Sequence, residues 1–190
     1  MIKMISFDCF GVLLEDAWLS FLGRYGNEAS QNALSDLNHQ SDRGIISKDN
    51  FISAVHCITG APVAEIENAI LVGHSPNDKL RSYIISLKKA GYKIGLISNV
   101  GGPIDAILPE NIYSLFDTIT LSYQTGCIKP DRRIFEQHCV AAAVEPENIV
   151  FIDDRQVNVD GAITAGIRGV RYDSVDQLKK QLEILGVAGL

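Results

Sequence analysis

Four short polar motifs, each after an apolar run, contain the side chains best suited to chemistry. Asp8 follows the first run, and Ser98-Asn99 follow the second. Lys129-Pro130 and Asp153-Asp154 come after the third and the fourth runs. Carboxylates bind hard cations, whereas hydroxyl and ammonium groups bind the oxygens of an anion. The pattern therefore predicts a site at which a cation and an oxyanion meet.

The apolar runs that precede these motifs predict strands of a parallel sheet. Short, continuous apolar runs are typical of central strands that are covered on both faces. Because the carboxyl ends of parallel strands share one edge of the sheet, the four motifs are expected to converge there. The predicted strands are Ile2–Phe7, Ile94–Ile97, Thr118–Leu121, Asn148–Ile152 and Gly169–Tyr172.

Helical patterns alternate with the later strands. Helices are predicted over Asp78–Ala90, Asp131–Ala143 and Val157–Ala165, and a final helix begins after Ser174. This alternation predicts an α/β fold with a doubly wound, Rossmann-like parallel sheet.

The segment from residue 15 to residue 77 interrupts that alternation. It contains helical patterns and no strand pattern, so it predicts a small, all-helical insertion. The catalytic core would then consist of residues 1–14 and 78–190. The predicted helices of the insertion are Ala17–Tyr25, Glu28–Asn38, Lys48–Thr59 and Val63–Val72.

The composition narrows the functional classes. The chain has 190 residues, a net charge of -6 and no basic stripe, which disfavours nucleic-acid binding. No apolar run approaches the roughly 18–20 residues that cross a bilayer. The cysteines show no zinc-ligand spacing, which favours a cytoplasmic protein with reduced thiols. The protein is expected to be a monomer or a homodimer. These cysteines are Cys9, Cys57, Cys127 and Cys139.

The ordered motifs resemble those of the haloacid dehalogenase-like hydrolase superfamily, and its phosphatase branches in particular. The similarity covers essentially the whole chain, and the insertion resembles a helical C1-type cap (residues 15–77). The segment Asp42–Ser47, followed by Phe51, is similar to the branch with sugar-1-phosphate phosphatases and the phosphatase domain of soluble epoxide hydrolases. The matching core segments are Phe7–Leu13, Ile97–Asn99, Ile128–Asp131, Phe151–Asp154 and Asn158.

The resemblance implies a nucleophile and a metal site. Asp8 would attack phosphorus and form an aspartyl-phosphate, which divides one difficult displacement into two steps. Mg²⁺ would be held by the Asp8 carboxylate, the Phe10 backbone carbonyl and Asp154, with Asp153 acting through water or from behind these ligands. Three carboxylates would otherwise repel one another.

The resemblance also implies a phosphate-binding set. Ser98 and Asn99 would contact phosphoryl oxygens, and Lys129 would offset the negative charge on Asp8 and on the transferred group. Arg43, in a polar break of the cap, is a further candidate for contact with the phosphate. The predicted substrate is a small phosphorylated metabolite, for example a sugar phosphate.

Phe10 is the main departure from the family pattern, because a second aspartate, the general acid/base, usually occupies this position. Such a group typically contributes ~10²–10⁴-fold to the rate. Either the substrate has a good leaving group, or another residue supplies the proton, or turnover is slow. Glu15 and Asp16 are candidate replacements at the start of the cap, and His74 is a candidate near its end.

Two alternatives to a phosphatase follow from Phe10. The first is a regulatory protein that binds phosphate compounds with little turnover. The second is a 2-haloacid dehalogenase, since those enzymes carry an aromatic residue at this position and displace halide without a proton. The adjacent pair Asp153-Asp154 favours a cation site, and hence a phosphatase, over the dehalogenase.

Overall fold

The predicted α/β class is confirmed by the computed structural model, which describes residues 1–187. Five parallel strands form one sheet in the order β3-β2-β1-β4-β5. This order puts β1 in the centre, between the two strands whose ends carry Ser98 and Asp153. The strands are β1 (Met4–Phe7), β2 (Lys93–Ser98), β3 (Thr118–Leu121), β4 (Ile149–Asp153) and β5 (Arg168–Arg171).

Helices cover both faces of the sheet and form the cap. Short 3₁₀ helices occur at Ile104–Ala106 and Pro146–Asn148. The α-helices are α1 (Ala17–Tyr25), α2 (Gln31–Asp42), α3 (Lys48–Thr59), α4 (Val63–Glu67), α5 (Asp78–Lys89), α6 (Glu110–Tyr113), α7 (Ser122–Thr125), α8 (Arg132–Ala142), α9 (Gln156–Thr164) and α10 (Val175–Ile184).

Alternate residues of the central strands supply two apolar layers. Ile5 and Phe7 of β1 belong to the layer that contains α5 and α10, whereas Met4 belongs to the layer that contains α8 and α9. In the second layer the rings of Phe135 and Phe151 meet edge to face, with 5.3 Å between their centroids. Because both faces are buried, the strands need apolar residues at nearly every position, as the sequence has.

The cap has an apolar cluster of its own. The two segments that connect the cap to the core lie side by side. The Glu15 N–H donates to the Ser75 carbonyl and the Asn77 N–H donates to the Leu13 carbonyl, both at 2.9 Å. These bonds support the predicted boundaries between core and cap at residues 14–15 and 77–78, which stay a prediction. Residues 188–190 of the predicted core lie outside the described residues. The cap cluster contains Phe21, Leu34, Phe51, Ile52, Val55, Ala61, Ile66 and Ala69.

The predicted bounds of the second cap helix are wrong at both ends. The prediction was Glu28–Asn38, but α2 runs from Gln31 to Asp42. Asn27 and Ser30 form a local turn before it, in which the Ser30 N–H donates to Asn27 Oδ1 at 2.9 Å. The extra C-terminal turn carries Asp42 into the protein rather than leaving it in a polar loop.

The fourth cap helix also differs from its prediction. The α-helical part ends at Glu67, and Asn68–Val72 continue as a single π-helical turn. Among residues 1–187, no helix has the combined length and apolar character that a bilayer crossing requires.

Candidate active site

Asp8 lies at the carboxyl end of the central strand. Its N–H donates to the Ile152 carbonyl at 2.8 Å, so the backbone is still paired with β4 at this residue. Its Oδ1 accepts the Cys9 N–H at 2.6 Å and lies 2.5 Å from Lys129 Nζ. The predicted nucleophile is thus buried, and its carboxylate is held from two sides.

Lys129 bridges two carboxylates. Its Nζ lies 2.5 Å from Asp8 Oδ1 and 2.8 Å from Asp153 Oδ2, and its side chain is almost fully buried. The Asn99 side chain holds the lysine backbone, since its Nδ2 donates to the Lys129 carbonyl at 3.1 Å and its Oδ1 accepts the Lys129 N–H at 2.8 Å. Asn99 therefore positions Lys129, and its predicted contact with phosphate stays a prediction.

Asp153 is held by more donors than Asp8. Besides Lys129, the Arg155 N–H donates to its Oδ1 at 2.9 Å, and Asn158 Nδ2 lies 3.0 Å from both of its oxygens. These donors use both oxygens of the Asp153 carboxylate. The predicted role of Asp153, which orients the site from behind the metal ligands or through water, stays a prediction.

Asp153 has more hydrogen-bond donors than Asp8, and the pKa values of the two carboxyl groups shift in opposite directions. Burial raises the pKa of Asp8 well above its usual range, although the charge of Lys129 opposes this. Burial also opposes ionisation of Asp153, but Lys129, the Arg155 N–H and Asn158 together hold its pKa below the usual value. The single ammonium group therefore compensates Asp153 better than it compensates Asp8.

Asp154 lies directly against the turn that follows Phe10. A Cβ atom on Gly11, whose φ is +81°, would be 2.6 Å from Asp154 Oδ2. Glycine is needed here both for its backbone conformation and for the space that the carboxylate occupies. Asp154 Oδ1 is buried and has no hydrogen-bond partner among the described residues, and burial and the charge of Asp153 raise the pKa of Asp154.

The three carboxylates fit a divalent cation. One oxygen from each of Asp8, Asp153 and Asp154 lies within 4.8 Å of the others. When all three are ionised, Lys129 leaves two negative charges uncompensated. Asp154 Oδ1 is an unused hard donor at the same place. Carboxylate oxygens of this kind are ligands that Mg²⁺ accepts in proteins.

Ser98 is the last residue of β2, and its side chain is completely buried. Its hydroxyl oxygen has no hydrogen-bond partner among the described residues. A buried hydroxyl without a partner costs about 1–3 kcal/mol. A ligand oxygen that reached this hydroxyl would recover that energy.

Phe10 forms part of the wall between the core and the cap. Its ring packs against His74, with 4.8 Å between the ring centroids. His74 Nδ1 lies 3.1 Å from the Glu15 carbonyl and 3.3 Å from the Ala17 amide nitrogen, so the imidazole joins the two ends of the cap.

A cavity of about 820 Å³ lies over this cluster, between the core and the cap. Asp8, Lys129 and Asn99 line its floor, and Arg43 is an exposed residue at its edge. The charge of Arg43 acts on Asp131, the N-cap residue of α8, and helps to lower the pKa of that carboxyl. The apolar part of the wall comes from Phe10, Trp18, Phe51, Ile70, Leu71, Val100 and Ile107.

The candidate replacements for the missing acid lie in different surroundings. Asp16 lines the cavity, but its Oδ1 accepts the Trp18 N–H at 3.0 Å as the cap of α1. Glu15 is exposed to solvent. Asp42, to which sequence reasoning gave no role, is buried and lines the cavity. Its position eight residues after Leu34, on the buried face of one helix, was the signal available in the sequence.

Comparison with known proteins gives the same fold. An enzyme of the haloacid dehalogenase-like family from Bacteroides thetaiotaomicron was solved as a magnesium complex. It superposes with a TM-score of 0.74 at 22% identity, and the superposition covers 94% of this chain and 98% of that one. A sesquiterpene phosphatase of Aspergillus oryzae is 26% identical over 82% of this chain and 81% of its own length. Flavin mononucleotide hydrolase 1 of Arabidopsis thaliana is 39% identical over 60% of this chain and 47% of its length.

Some of these relatives are longer proteins. The chain spans 30%, 45% and 47% of the length of three curated relatives that it matches. The profile described as haloacid dehalogenase-like hydrolase matches residues 2–166, which include all four motifs and the cap. This chain belongs to the haloacid dehalogenase-like hydrolase family.

Proposed function

We propose that the chain is a Mg²⁺-dependent phosphatase that hydrolyses a small phosphorylated metabolite through an aspartyl-phosphate on Asp8. The observation that carries this proposal is the cluster of three carboxylates around one buried lysine, beneath a cavity of about 820 Å³. Such a cluster has an excess of negative charge that a divalent cation would neutralise.

Asp8, Asp154 and the Phe10 carbonyl would hold the ion, with Asp153 behind them. The bound ion would reduce the repulsion between the phosphate and the carboxylates. A structural neighbour solved as a magnesium complex supports this assignment.

Asp8 would attack phosphorus. The Cys9 N–H and Lys129 both contact Oδ1, at 2.6 and 2.5 Å, and so leave Oδ2 as the oxygen available for attack. Fixing the carboxylate in this way lowers the entropic cost of the displacement. Lys129 would also stabilise the charge that develops on the transferred group.

Ser98 would bind a phosphoryl oxygen, because its buried hydroxyl has no partner among residues 1–187. The remainder of the substrate would occupy the cavity. Its mixed walls, with apolar side chains next to a few convergent polar groups, are typical of small-molecule sites. Relatives named as phosphatases support the same reaction class.

Hydrolysis of a phosphate-ester panel, with and without Mg²⁺, tests the proposal. We expect Asp8→Asn to abolish turnover, because an amide is a very weak nucleophile. Asp160→Asn, on an exposed part of α9, is the matched control and should retain activity. Calorimetric titration with Mg²⁺ gives a readout that is independent of turnover.

Three results would overturn the proposal. Turnover that persists in Asp8→Asn would remove the covalent mechanism. Tight binding of phosphate esters with no turnover of any of them would favour the regulatory alternative. Metal-independent release of halide from a 2-haloacid would favour the dehalogenase.

A further inference from the structure

The site contains a nucleophile and a lysine, but Phe10 stands where its family usually has a proton carrier. We propose that Asp42 of the cap is the general acid/base that protonates the leaving group. This inference rests on the proposed phosphatase function. The required group must be a buried acid, must face the cavity above Asp8 and must be fixed in position, and Asp42 meets these three conditions.

Asp42 is a buried acid without an ion pair. It is 8% exposed, and no lysine or arginine in residues 1–187 forms a salt bridge with it. Asn38 Nδ2, one turn earlier on α2, donates to Asp42 Oδ2 at 2.9 Å. This bond leaves Oδ1 without a donor in the described part of the chain. Asp42 lines the same cavity as Asp8 and Lys129.

Contacts with one core loop and with α7 fix the end of α2. Ser41 packs so closely on the loop after β2 that a Cβ atom on Gly101 would collide with its hydroxyl oxygen. On the other side, a Cβ atom on Gly44 would lie 2.9 Å from the Tyr123 carbonyl. Asp42 lies between these two contact points, so the core determines where its carboxyl group is held.

The surroundings of Asp42 favour its protonated form near neutrality. Burial raises the pKa of Asp42 to about 7, the charge of Asp16 adds to this rise and the charge of Lys129 opposes it. Lys129 is already shared by two other carboxylates. Arg43 and Lys48 also border the cavity, but both are exposed to solvent, which screens their charges. A general acid works best when its pKa is near the working pH.

Other acids near the cavity are less suitable. Asp16 accepts hydrogen bonds from two N–H groups of α1, the Trp18 N–H at 3.0 Å and the Leu19 N–H at 3.4 Å. Asp131 is similarly occupied by Arg133, with the shortest contact at 2.6 Å, and its pKa is lowered to about 2. Asp131 therefore favours the ionised form, which has no proton to donate, and Asp16 is engaged in capping α1.

The two chemical steps balance with Asp42 as the proton carrier. In the first, an Asp8 oxygen bonds to phosphorus, the bond from phosphorus to the leaving oxygen breaks, and that oxygen takes the proton of Asp42. In the second, a water oxygen bonds to phosphorus and gives its proton to the Asp42 carboxylate. The bond from phosphorus to Asp8 then breaks, and free phosphate and the original enzyme result.

Aryl phosphates of graded leaving-group acidity provide the test. Phenyl phosphate has a poor leaving group that needs a proton, whereas p-nitrophenyl phosphate has a good one. We expect Asp42→Asn to lower kcat/KM for phenyl phosphate by about 10²-fold or more and to change kcat/KM for p-nitrophenyl phosphate by less than about tenfold, because kcat/KM reports only the first step. The matched control, Asp36→Asn, changes an exposed acid of the same helix and should alter neither rate.

The pH profile of the unaltered protein supplies a second measurement that needs no folded variant. The ratio of kcat/KM for phenyl phosphate to kcat/KM for p-nitrophenyl phosphate should fall as the pH rises through about 7, because only release of the phenyl group needs protonated Asp42. Equal losses of kcat/KM on both substrates in Asp42→Asn, or a pH-independent ratio, would overturn the role of Asp42. Failure of the phosphatase proposal itself is distinguishable, since Asp8→Asn would then retain turnover of both substrates.

Discussion

The Phe10 ring packs on the imidazole of His74, with 4.8 Å between the centroids and 47° between the ring planes. This contact joins the turn after β1 to the segment that returns from the cap. Phe10 therefore has a structural role in the wall of the cavity, which explains how the position can carry an apolar side chain. It also means that any proton for the leaving group must come from elsewhere.

Restoring an acid at position 10 should compensate for loss of Asp42. In the Asp42→Asn background, we expect Phe10→Asp to raise kcat/KM for phenyl phosphate at least about tenfold, since a positioned acid contributes ~10²–10⁴-fold. The value of kcat/KM for p-nitrophenyl phosphate should change little. Phe10→Leu in the same background is the control, and an equal gain in that variant would contradict the explanation.

Replacing Lys129 by methionine should impair both stability and activity. The change leaves Asp8 and Asp153 buried without their shared cation, and breaking a buried ion pair costs about 3–5 kcal/mol. Urea unfolding without metal should show a loss of this order, and added Mg²⁺ should recover part of it. We also expect kcat to fall by about 10²-fold or more.

Lys180→Met, on an exposed part of α10, is the control for that experiment. It should leave both the unfolding free energy and kcat near those of the unaltered protein. A Lys129→Met protein as stable as the parent at neutral pH would show that the lysine is not needed to hold the two carboxylates together.

Asp154→Asn should weaken metal binding. Its Oδ1 is buried without a partner, so the carboxylate is available to a cation and to no other group in the described chain. We expect the Mg²⁺ concentration for half-maximal activity to rise about tenfold or more. The increase in melting temperature on adding Mg²⁺ should shrink in parallel. An unchanged Mg²⁺ requirement would remove Asp154 from the ligand set.

Asp42 should also make stability depend on pH. Its pKa is about 7 in the folded protein and near 3.9 when unfolded, so between these values the folded state binds more protons. The free energy of unfolding therefore falls as the pH rises through this window, by up to roughly 1.4 kcal/mol per pH unit. Asp42→Asn removes this penalty, and it should stabilise the protein more at pH 8 than at pH 5.

The difference in unfolding free energy between Asp42→Asn and the parent protein separates the effect of Asp42 from that of the other titrating groups. Lys129 and Asp16, whose charges act on Asp42, are present in both proteins. Chemical denaturation at a series of pH values measures the effect, with Asp36→Asn as the control. A stability difference that is the same at pH 5 and pH 8 would contradict the proposed burial of a neutral carboxyl group.

The sequence by itself determined the sheet and the main elements of the site. Short continuous apolar runs that alternate with helical patterns are typical of central parallel strands, and the ends of parallel strands share one edge. For that reason the convergence of Asp8, Lys129, Asp153 and Asp154 could be predicted from motif order alone. The family resemblance added roles for these residues, and those roles stay predictions.

Only the tertiary structure decided which partners the polar side chains of the site contact. Asn99 lies next to Ser98 in the chain, yet its amide holds the Lys129 backbone, a contact between residues thirty positions apart. The position of Asp42 depends on the close packing of Ser41 against the loop after β2, with Gly101 providing the space. Local sequence patterns indicate which residues are buried and which face of a helix is apolar. The contacts of Asn99 and Ser41 join residues far apart in the chain, so they arise only when the chain is folded and the cap packs against the core.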